Sequence, residues 1–398
     1  MTKTANLKPL TGPPRAGDPP GTVVAGASPF GPVRFPLENG HAFLAGGTGS
    51  GLESLVAANL VAAAEAGESL AVTDWTGGRL AEEVGPVLTA RGYEVKIFDL
   101  ARPDRSAAAW DPLIEARSRE EVAALAGVMI PREGYFEAKE AQLFTALALI
   151  ARVLDPRATL PAALDLLYRS PEELDGLAAE RLDPEAREMW QAVRRSGYDA
   201  AASGLGAKTT PLRHPDLRAL FGRHDLDLAG PGERRTALFC VANPAFKPVL
   251  AALYYFLILR LTNLARDRGG ELPVPVRLVI HAAGLGWVPG LAEVLAAAPA
   301  MGVRVLLAAR SVRDLDGPFG RVSAETVLLS CPVRVCLGAG DPDTAGYFAR
   351  SLNEAGVKAD GEELGRAGRV VVLARGHRPL FLERLDWRQL PQAAGAEG

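Results

Sequence analysis

The chain has 398 residues, of which 48% are hydrophobic, 23% charged and 6% aromatic. This composition is typical of a packed globular protein and excludes a disordered chain, a collagen-like repeat and a disulfide-stapled miniprotein. The formal net charge is −3, so no overall positive field indicates a nucleic-acid partner. Three cysteines without a C-x-x-C pair are typical of buried thiols in a reducing compartment.

The sequence lacks the pattern of a membrane span or a secretory signal. The longest apolar stretch, VLAALYYFLIL at residues 249–259, is shorter than the ~20 residues that cross a bilayer. We therefore predict a buried core helix there and expect no transmembrane helix. The first residues have no apolar h-region, so we expect a cytoplasmic protein.

The order of apolar runs predicts an α/β domain interrupted by helices. The segment TGPPRAGDPPG predicts a flexible, Pro/Gly-rich N-terminal tail. From His41, strand-like runs alternate with helical runs that end at glycine, as in βα units on a mostly parallel sheet. Two closing runs, RVVVLAR and PLFLER, predict edge strands. The predicted organisation is a tail at 1–35, an α/β domain at 36–114 and 206–385, an all-α insertion at 115–205, and a C-terminal tail at 386–398.

A glycine-rich loop follows the first strand of this domain. Residues 41–54 read HAFLAGGTGSGLES, an apolar strand, then a turn, then the start of a helix. Glycines let backbone N–H groups converge on one point, and the helix N-terminus adds a positive dipole end. We predict a phosphate-binding loop formed by Gly46, Gly47, Thr48, Gly49, Ser50 and Gly51. The alternative is a tight strand-to-helix turn without a ligand.

The loop departs from the phosphate-loop pattern G-x-x-x-x-G-K-[ST] at two positions. Gly46 and Gly51 match the glycines, whereas Leu52 replaces the lysine and Glu53 replaces the hydroxyl residue. Leu52 offers no charge to a phosphate, and Glu53 adds negative charge. A charge-assisted hydrogen bond is worth roughly 1.5–3 kcal/mol, so loss of the lysine predicts nucleotide binding about ten- to a hundredfold weaker.

Four segments in order resemble the type IV secretion coupling proteins, the TraG/TraD class of conjugative DNA-transfer ATPases. They are HAFLAGGTGSG, the stretch from AVTDWTGG to AAAWDPL, the stretch from ELPVPVRLVIHAAG to ARSVRDL, and the stretch from VLLSCPVRVCLGAG to YFARSL. The resemblance covers roughly residues 36–385. It implies a RecA-like P-loop NTPase fold with an all-helical insertion domain. It also implies a hexameric ring at the inner membrane that hydrolyses ATP and feeds DNA or protein to a secretion channel.

Compared with this family, the chain has lost the residues that carry chemistry. The family sequence D-P-K-G-E after the second strand is reduced to Asp74 followed by WTGG. The Walker B Asp-Glu pair, which orients magnesium and polarises water, falls on His281 and Ala282. A sensor Gln falls on Arg310. We therefore expect that the magnesium site of the family is lost, that no other metal site replaces it, and that ATP binds weakly.

Two of these substitutions have alternative interpretations. His281 is expected to be a core or strand-end histidine rather than a ligand, because magnesium prefers oxygen. Arg310 either contacts a phosphate in place of the lysine or pairs with an acid across the sheet, and we favour the pair.

The sequence thus predicts a degenerate coupling-protein homologue that acts as a non-hydrolysing structural or regulatory subunit. Its expected partners are the type IV secretion or conjugation machinery and an active coupling ATPase paralogue, in a homo- or hetero-hexamer. We expect recruitment to the inner face of the membrane by a partner. DNA is a further candidate, since Lys208, Arg213 and Arg218 face either a DNA channel or solvent. Two alternatives stay open: an active DNA translocase that uses Arg310, and a nucleotide-binding sensor without turnover.

Overall fold

The structure is a computed structural model that describes residues 8–37, 40–130, 134–281, 295–316, 321–365 and 369–390. The chain forms two compact units. The α/β unit comprises Met1–Ile97, Leu228–Val241 and Leu259–Gly398, and the helical unit comprises Phe98–Asp227 and Ala242–Ile258.

Twelve strands form one sheet within the described residues. They are β1 (Leu10–Thr11), β2 (Thr22–Ser28), β3 (Gly31–Pro36), β4 (Ala42–Ala45), β5 (Ser69–Asp74), β6 (Glu94–Asp99), β7 (Thr236–Val241), β8 (Val276–His281), β9 (Val303–Ala309), β10 (Val333–Cys336), β11 (Arg369–Ala374) and β12 (Leu380–Glu383). Their order is β1-β3-β2-β12-β11-β10-β4-β9-β8-β5-β7-β6.

The centre of the sheet is parallel. Strands β10, β4, β9, β8, β5 and β7 pair in parallel with one another. Every residue of β4, β5, β7 and β8 is buried, as expected for parallel strands that are covered on both faces. The pairs from β10 through β11, β12, β2 and β3 to β1 are antiparallel.

The prediction of a loose tail over residues 1–35 is wrong for its second half. Strands β2 and β3 form a hairpin that joins the sheet beside β12, and Val23, Val24 and Phe35 are fully buried. Asn59 fixes this hairpin, because its amide donates to and accepts from the backbone of Val24 at 2.9 Å each. The prediction of β11 and β12 as edge strands is also wrong, because β2, β3 and β1 lie beyond them in the sheet.

The predicted C-terminal tail also begins too early. Trp387 and Leu390 are buried in the core of the α/β unit, together with side chains of the first helix such as Leu55. The predicted boundary at 386 therefore cuts through a packed segment.

The described helices flank the sheet or build the helical unit. They are α1 (Leu52–Glu65), α2 (Arg79–Thr89), α3 (Pro112–Glu115), α4 (Arg119–Met129), α5 (Tyr135–Leu154), α6 (Leu160–Asp165), α7 (Pro171–Arg181), α8 (Pro184–Arg195), α9 (Tyr198–Thr209), α10 (Pro215–Phe221), α11 (Gly230–Glu233), α12 (Lys247–Asp267), α13 (Arg321–Leu329), α14 (Pro342–Glu354) and α15 (Gly361–Gly365). The helical unit is larger than the predicted insertion at 115–205, because it begins at Phe98 and includes part of α12.

A cluster of aromatic side chains lies in the core of the helical unit, near the point where the chain enters it. Trp110 is fully buried and packs edge-on against Phe98 and Phe256, with ring centroids 6.2 and 6.3 Å apart. The neighbouring Asp111 caps α3 and also accepts a hydrogen bond from the backbone N–H of Leu160 at 2.9 Å. These contacts anchor α3 and α6 to one another.

One described helical segment, Pro244–Asp267, is long and apolar enough to cross a membrane by length and composition. Its most apolar window has a mean hydropathy of 1.5, and 61% of that window is buried within the protein. The predicted core helix at residues 249–259 lies in this segment, and its buried residues include Val249, Leu253 and Phe256.

Candidate functional site

The carboxyl ends of four neighbouring parallel strands form the candidate site. The glycine loop follows β4, Arg310 follows β9, His281 ends β8, and Asp74 ends β5, in the spatial order of the sheet. Since parallel strands end at the same edge, residues far apart in sequence meet there. The glycine loop, His281 and Arg310 line a cavity of about 490 Å³, and Trp75, the residue after Asp74, lines it as well. Of the predicted site residues, its lining includes Gly46, Gly47, Thr48, Gly49, Ser50, Gly51, Leu52, Glu53, His281 and Arg310.

The loop has the backbone of a compact strand-to-helix turn. Gly49 and Gly51 have φ angles of 73° and 90°, a region that favours glycine. A side chain at Gly46 would bring its Cβ within 2.4 Å of the Ser50 hydroxyl. Gly46 donates its N–H to the Ala309 carbonyl at 3.0 Å, which fixes the loop to the neighbouring strand. The loop therefore depends on its glycines, and α1 starts directly after it.

Leu52 is the first residue of α1 and faces apolar surroundings. Its side chain is 7% exposed and belongs to the core cluster of the α/β unit. At the position of a phosphate-binding lysine, the chain thus has a packed hydrocarbon side chain without charge.

Glu53 forms an ion pair with Arg79, the first residue of α2. Both side chains are about half exposed, at 49% for Glu53 and 55% for Arg79, and Arg79 also lines the cavity. The carboxylate at the position of the magnesium-binding hydroxyl is therefore engaged by a guanidinium group.

His281 is buried, with 7% of its surface exposed. Its Nδ1 has no hydrogen-bond partner among the residues that the structure describes. Burial lowers the pKa of His281, while the nearby charge of Asp74 opposes that shift, so the imidazole is neutral at neutral pH. Asp74 itself accepts hydrogen bonds from the backbone N–H and hydroxyl of Thr76, at 2.7 and 2.5 Å. Ala282, the other predicted Walker B position, lies outside the described residues.

Arg310 has a local acidic partner rather than one across the sheet. Its Nε lies 3.7 Å from Asp314 Oδ2, and the same carboxylate accepts the Arg310 backbone N–H at 3.0 Å. Arg310 therefore forms an ion pair, as we favoured, but its partner lies four residues along the chain and not across the sheet. The side chain is 63% exposed and lines the cavity.

Sequence reasoning missed the second wall of the cavity. It is formed by Ser54, Trp75, Arg79, Leu80, Glu83, Trp387 and Arg388. Arg388 pairs with Glu83 at 2.8 Å, and Arg384 donates to the Gly49 carbonyl at 3.0 Å. Arg79 could have been predicted as a site residue, because it follows Asp74 and two glycines after a strand end. Nothing in the sequence marked Trp387 and Arg388, which belong to a segment predicted as a tail.

The residues fit a phosphate group but not a magnesium ion. The glycine loop and the start of α1 present the backbone geometry that a phosphate requires. Magnesium requires oxygen ligands, whereas the corresponding positions hold Leu52, a paired Glu53 and the imidazole of His281. Within the described part of the chain, no three His, Cys, Asp or Glu side chains group as metal ligands.

The basic residues suggested for a DNA channel all have partners in the helical unit. Lys208 bonds Glu140 at 2.5 Å, Arg218 bonds Asp165 at 2.7 Å, and Arg213 stacks over the ring of Tyr168 at 3.9 Å. The charges of Lys208 and Arg218 are therefore paired with acids, whereas Arg213 contacts a neutral aromatic ring.

Comparison with solved structures places this architecture among known proteins. The plasmid coupling protein TrwB in complex with the GTP analogue GDPNP has a TM-score of 0.68 and 16% identity, with 98% of each chain covered. TrwB in complex with ADP and Mg²⁺ has a TM-score of 0.63 and 17% identity over 87% of this chain and 85% of that one. VirB4 of Thermoanaerobacter pseudethanolicus has a TM-score of 0.61 and 14% identity, with 95% and 98% covered. No curated protein sequence matches the chain.

These similarities, together with the sheet and the loop, define a RecA-like P-loop NTPase fold, as the sequence predicted. The model of the family described as type IV secretory system conjugative DNA transfer matches residues 15–364. The chain belongs to that family and is a homologue of its coupling proteins.

Proposed function

We propose that this protein is a non-hydrolysing structural or regulatory homologue of the conjugative coupling proteins. The observation that carries the proposal is the state of the loop: its backbone is kept, while the side chain at the lysine position, Leu52, is packed in the core. A scaffold with an intact turn and no phosphate-binding lysine can hold its shape in an assembly without turning over ATP.

The missing magnesium chemistry supports the same proposal. Glu53 is paired with Arg79, and His281 is a neutral imidazole at the end of β8. Losing a positioned catalytic base typically lowers a rate about 10²–10⁴-fold, and losing the metal ligands lowers it further. The structurally similar TrwB forms complexes with the GTP analogue GDPNP and with ADP and Mg²⁺, so proteins of this fold can bind nucleotide.

Family membership implies association with type IV secretion or conjugation machinery. Within it, we propose that the chain joins an active coupling ATPase paralogue in a mixed ring. This paralogue then supplies hydrolysis and membrane attachment, and DNA contact falls to the assembled ring.

A second candidate is an unorthodox ATPase that uses Arg310. One observation favours it: the Arg310 side chain is 63% exposed, lines the cavity and forms a loose pair with Asp314 at 3.7 Å. A guanidinium in that position has the freedom to contact a phosphate.

Calorimetric titration with ATP and magnesium tests the first proposal. We compare wild type with the double variant Leu52→Lys, Glu53→Thr, which restores the phosphate-loop pattern. The variant is expected to bind about ten- to a hundredfold more tightly, because it regains a charge-assisted hydrogen bond. Wild-type binding as tight as that of the variant contradicts the proposal, since those two residues would then not have silenced the site.

A further inference from the structure

The positive charge at the cavity comes from outside the glycine loop. Arg79, Arg310 and Arg388 line it, and each has an acidic partner. We propose that Arg79 is the cation for a phosphate-bearing anion bound at the loop without a divalent metal, and that Glu53 competes with this anion for Arg79. The proposal rests on the proposed function, in which magnesium-dependent hydrolysis is absent.

Two independent observations indicate a ligand at this place. The first is the loop itself, with left-handed backbone at Gly49 and Gly51 before the 14-residue helix α1. The second is His281, which is buried, lines the cavity and leaves Nδ1 without a hydrogen-bond partner among the described residues. Buried polar atoms are nearly always hydrogen-bonded, so an unpartnered imidazole nitrogen indicates a group that the ligand supplies.

Arg79 is the one of these three arginines whose acidic partner lies at the start of α1, next to the glycine loop. Its partner Glu53 directly follows Leu52, so the pair lies beside the position that a loop lysine would occupy. Both side chains are about half exposed, and exposed ion pairs hold their partners weakly. A guanidinium donates two parallel N–H groups to a carboxylate or to a phosphate. A phosphate can therefore replace the Glu53 carboxylate at Arg79.

The other two arginines pair with acids that lie outside the glycine loop and α1. Arg388 is held at 2.8 Å by Glu83 and also lies over the ring of Trp387, 5.6 Å from its centroid. Arg310 shares Asp314 with its own backbone N–H. Because the anion binds without a magnesium ion in this proposal, Arg79 and the start of α1 balance its charge.

Titration calorimetry with a chelator present tests this proposal. The probes are inorganic phosphate, ATP and adenosine, and the proteins are wild type, Glu53→Gln and Arg79→Gln. Removing the competing carboxylate is expected to tighten phosphate and ATP binding about two- to fivefold, as for the loss of an exposed ion pair. Removing the guanidinium is expected to weaken both about tenfold or more.

A second ion pair between the same elements provides matched controls. Glu65 in α1 and Arg91, just after α2, are joined at 2.6 Å at the opposite end of the two helices. Glu65→Gln and Arg91→Gln therefore make the same charge changes away from the loop and are expected to leave binding unchanged. Thermal unfolding of all four variants verifies that each is folded.

The proposal is overturned if neither wild type nor Glu53→Gln binds phosphate or ATP. It is also overturned if Arg79→Gln binds as tightly as wild type, or if binding requires magnesium. Adenosine binding as tight as ATP binding also overturns it, because the base rather than the phosphate would then be recognised. ATP hydrolysis is measured separately, so failure of the proposed function is distinguished from failure of this inference.

Discussion

Leu52 and Glu53 alter the chemistry of the loop while leaving its backbone unchanged. The φ angles that the turn requires lie at Gly49 and Gly51, and both glycines are present. The substituted side chains act outside that turn, one in the core and the other in an ion pair with Arg79. Binding chemistry and loop shape are therefore separable in this fold, which explains how the site can lose charge without losing structure.

His41 is a buried histidine whose hydrogen bonds require the neutral ring. Its Nδ1 accepts the Val305 backbone N–H at 2.9 Å, and its Nε2 bonds the Leu295 carbonyl at 2.8 Å. Burial lowers the pKa of His41, and nearby Arg304 and Arg277 lower it further, although the hydrogen bond to Leu295 opposes the shift. Protonation would also remove the acceptor that Val305 needs.

Acid should therefore weaken the fold through His41. The folded-state pKa lies below the ordinary value of 6.5, so its contribution is present above about pH 6.5 and is lost as the pH falls toward the lowered pKa. We expect the free energy of unfolding to fall more for wild type than for His41→Gln between about pH 7.5 and about pH 5.5. Urea denaturation at both pH values measures this difference.

The same comparison cancels titrations that both proteins share. Asp111 is one of these, because burial raises its pKa to about 7 and gives the opposite dependence on pH. Equal losses in wild type and His41→Gln would show that His41 does not titrate in this range.

The hairpin of β2 and β3 depends on one amide in α1. Asn59 is fully buried, and its side chain satisfies both the N–H and the carbonyl of Val24. Asn59→Ala should lower the free energy of unfolding by about 2–4 kcal/mol, because two backbone groups lose their partner inside the core. Urea denaturation monitored by circular dichroism measures the change.

Asn353 is a matched control for this substitution. It makes the same kind of paired contact, with the backbone N–H and carbonyl of Ala359 at 3.4 Å each, but it is exposed. Asn353→Ala should change stability by less than about 0.5 kcal/mol. If the two variants unfold alike, the hairpin does not contribute to the core as argued.

Elements with a clear apolar period were predictable, and those held by distant contacts were not. Strands β5 and β8 contain the apolar runs LAV and LVI, each followed by a polar residue and a helical stretch, so their pattern indicated buried strands of a parallel sheet. In the hairpin, Val23, Val24 and Phe35 are surrounded by Pro and Gly, and their burial depends on packing against α1 and the sheet. No local pattern encodes that packing.

In the candidate site, too, residues in local motifs were predictable and residues placed by distant contacts were not. The glycine loop, Leu52, Glu53, His281 and Arg310 were predictable, because each occupies a fixed place in a linear motif at a strand end. Arg388 reaches the cavity from a C-terminal segment that is held by Trp387 in the core and by Ser54. Such a residue is placed by tertiary packing alone, so the spacing of motifs does not reveal it.

At the level of the entire protein, the proposed function requires that this coupling-protein homologue does not hydrolyse ATP. Steady-state phosphate release in the presence of magnesium, with and without DNA, measures this. Wild type and Arg310→Ala should both show no release above the no-protein background. Magnesium-dependent release by wild type that disappears in Arg310→Ala would contradict the account and establish an ATPase that uses Arg310.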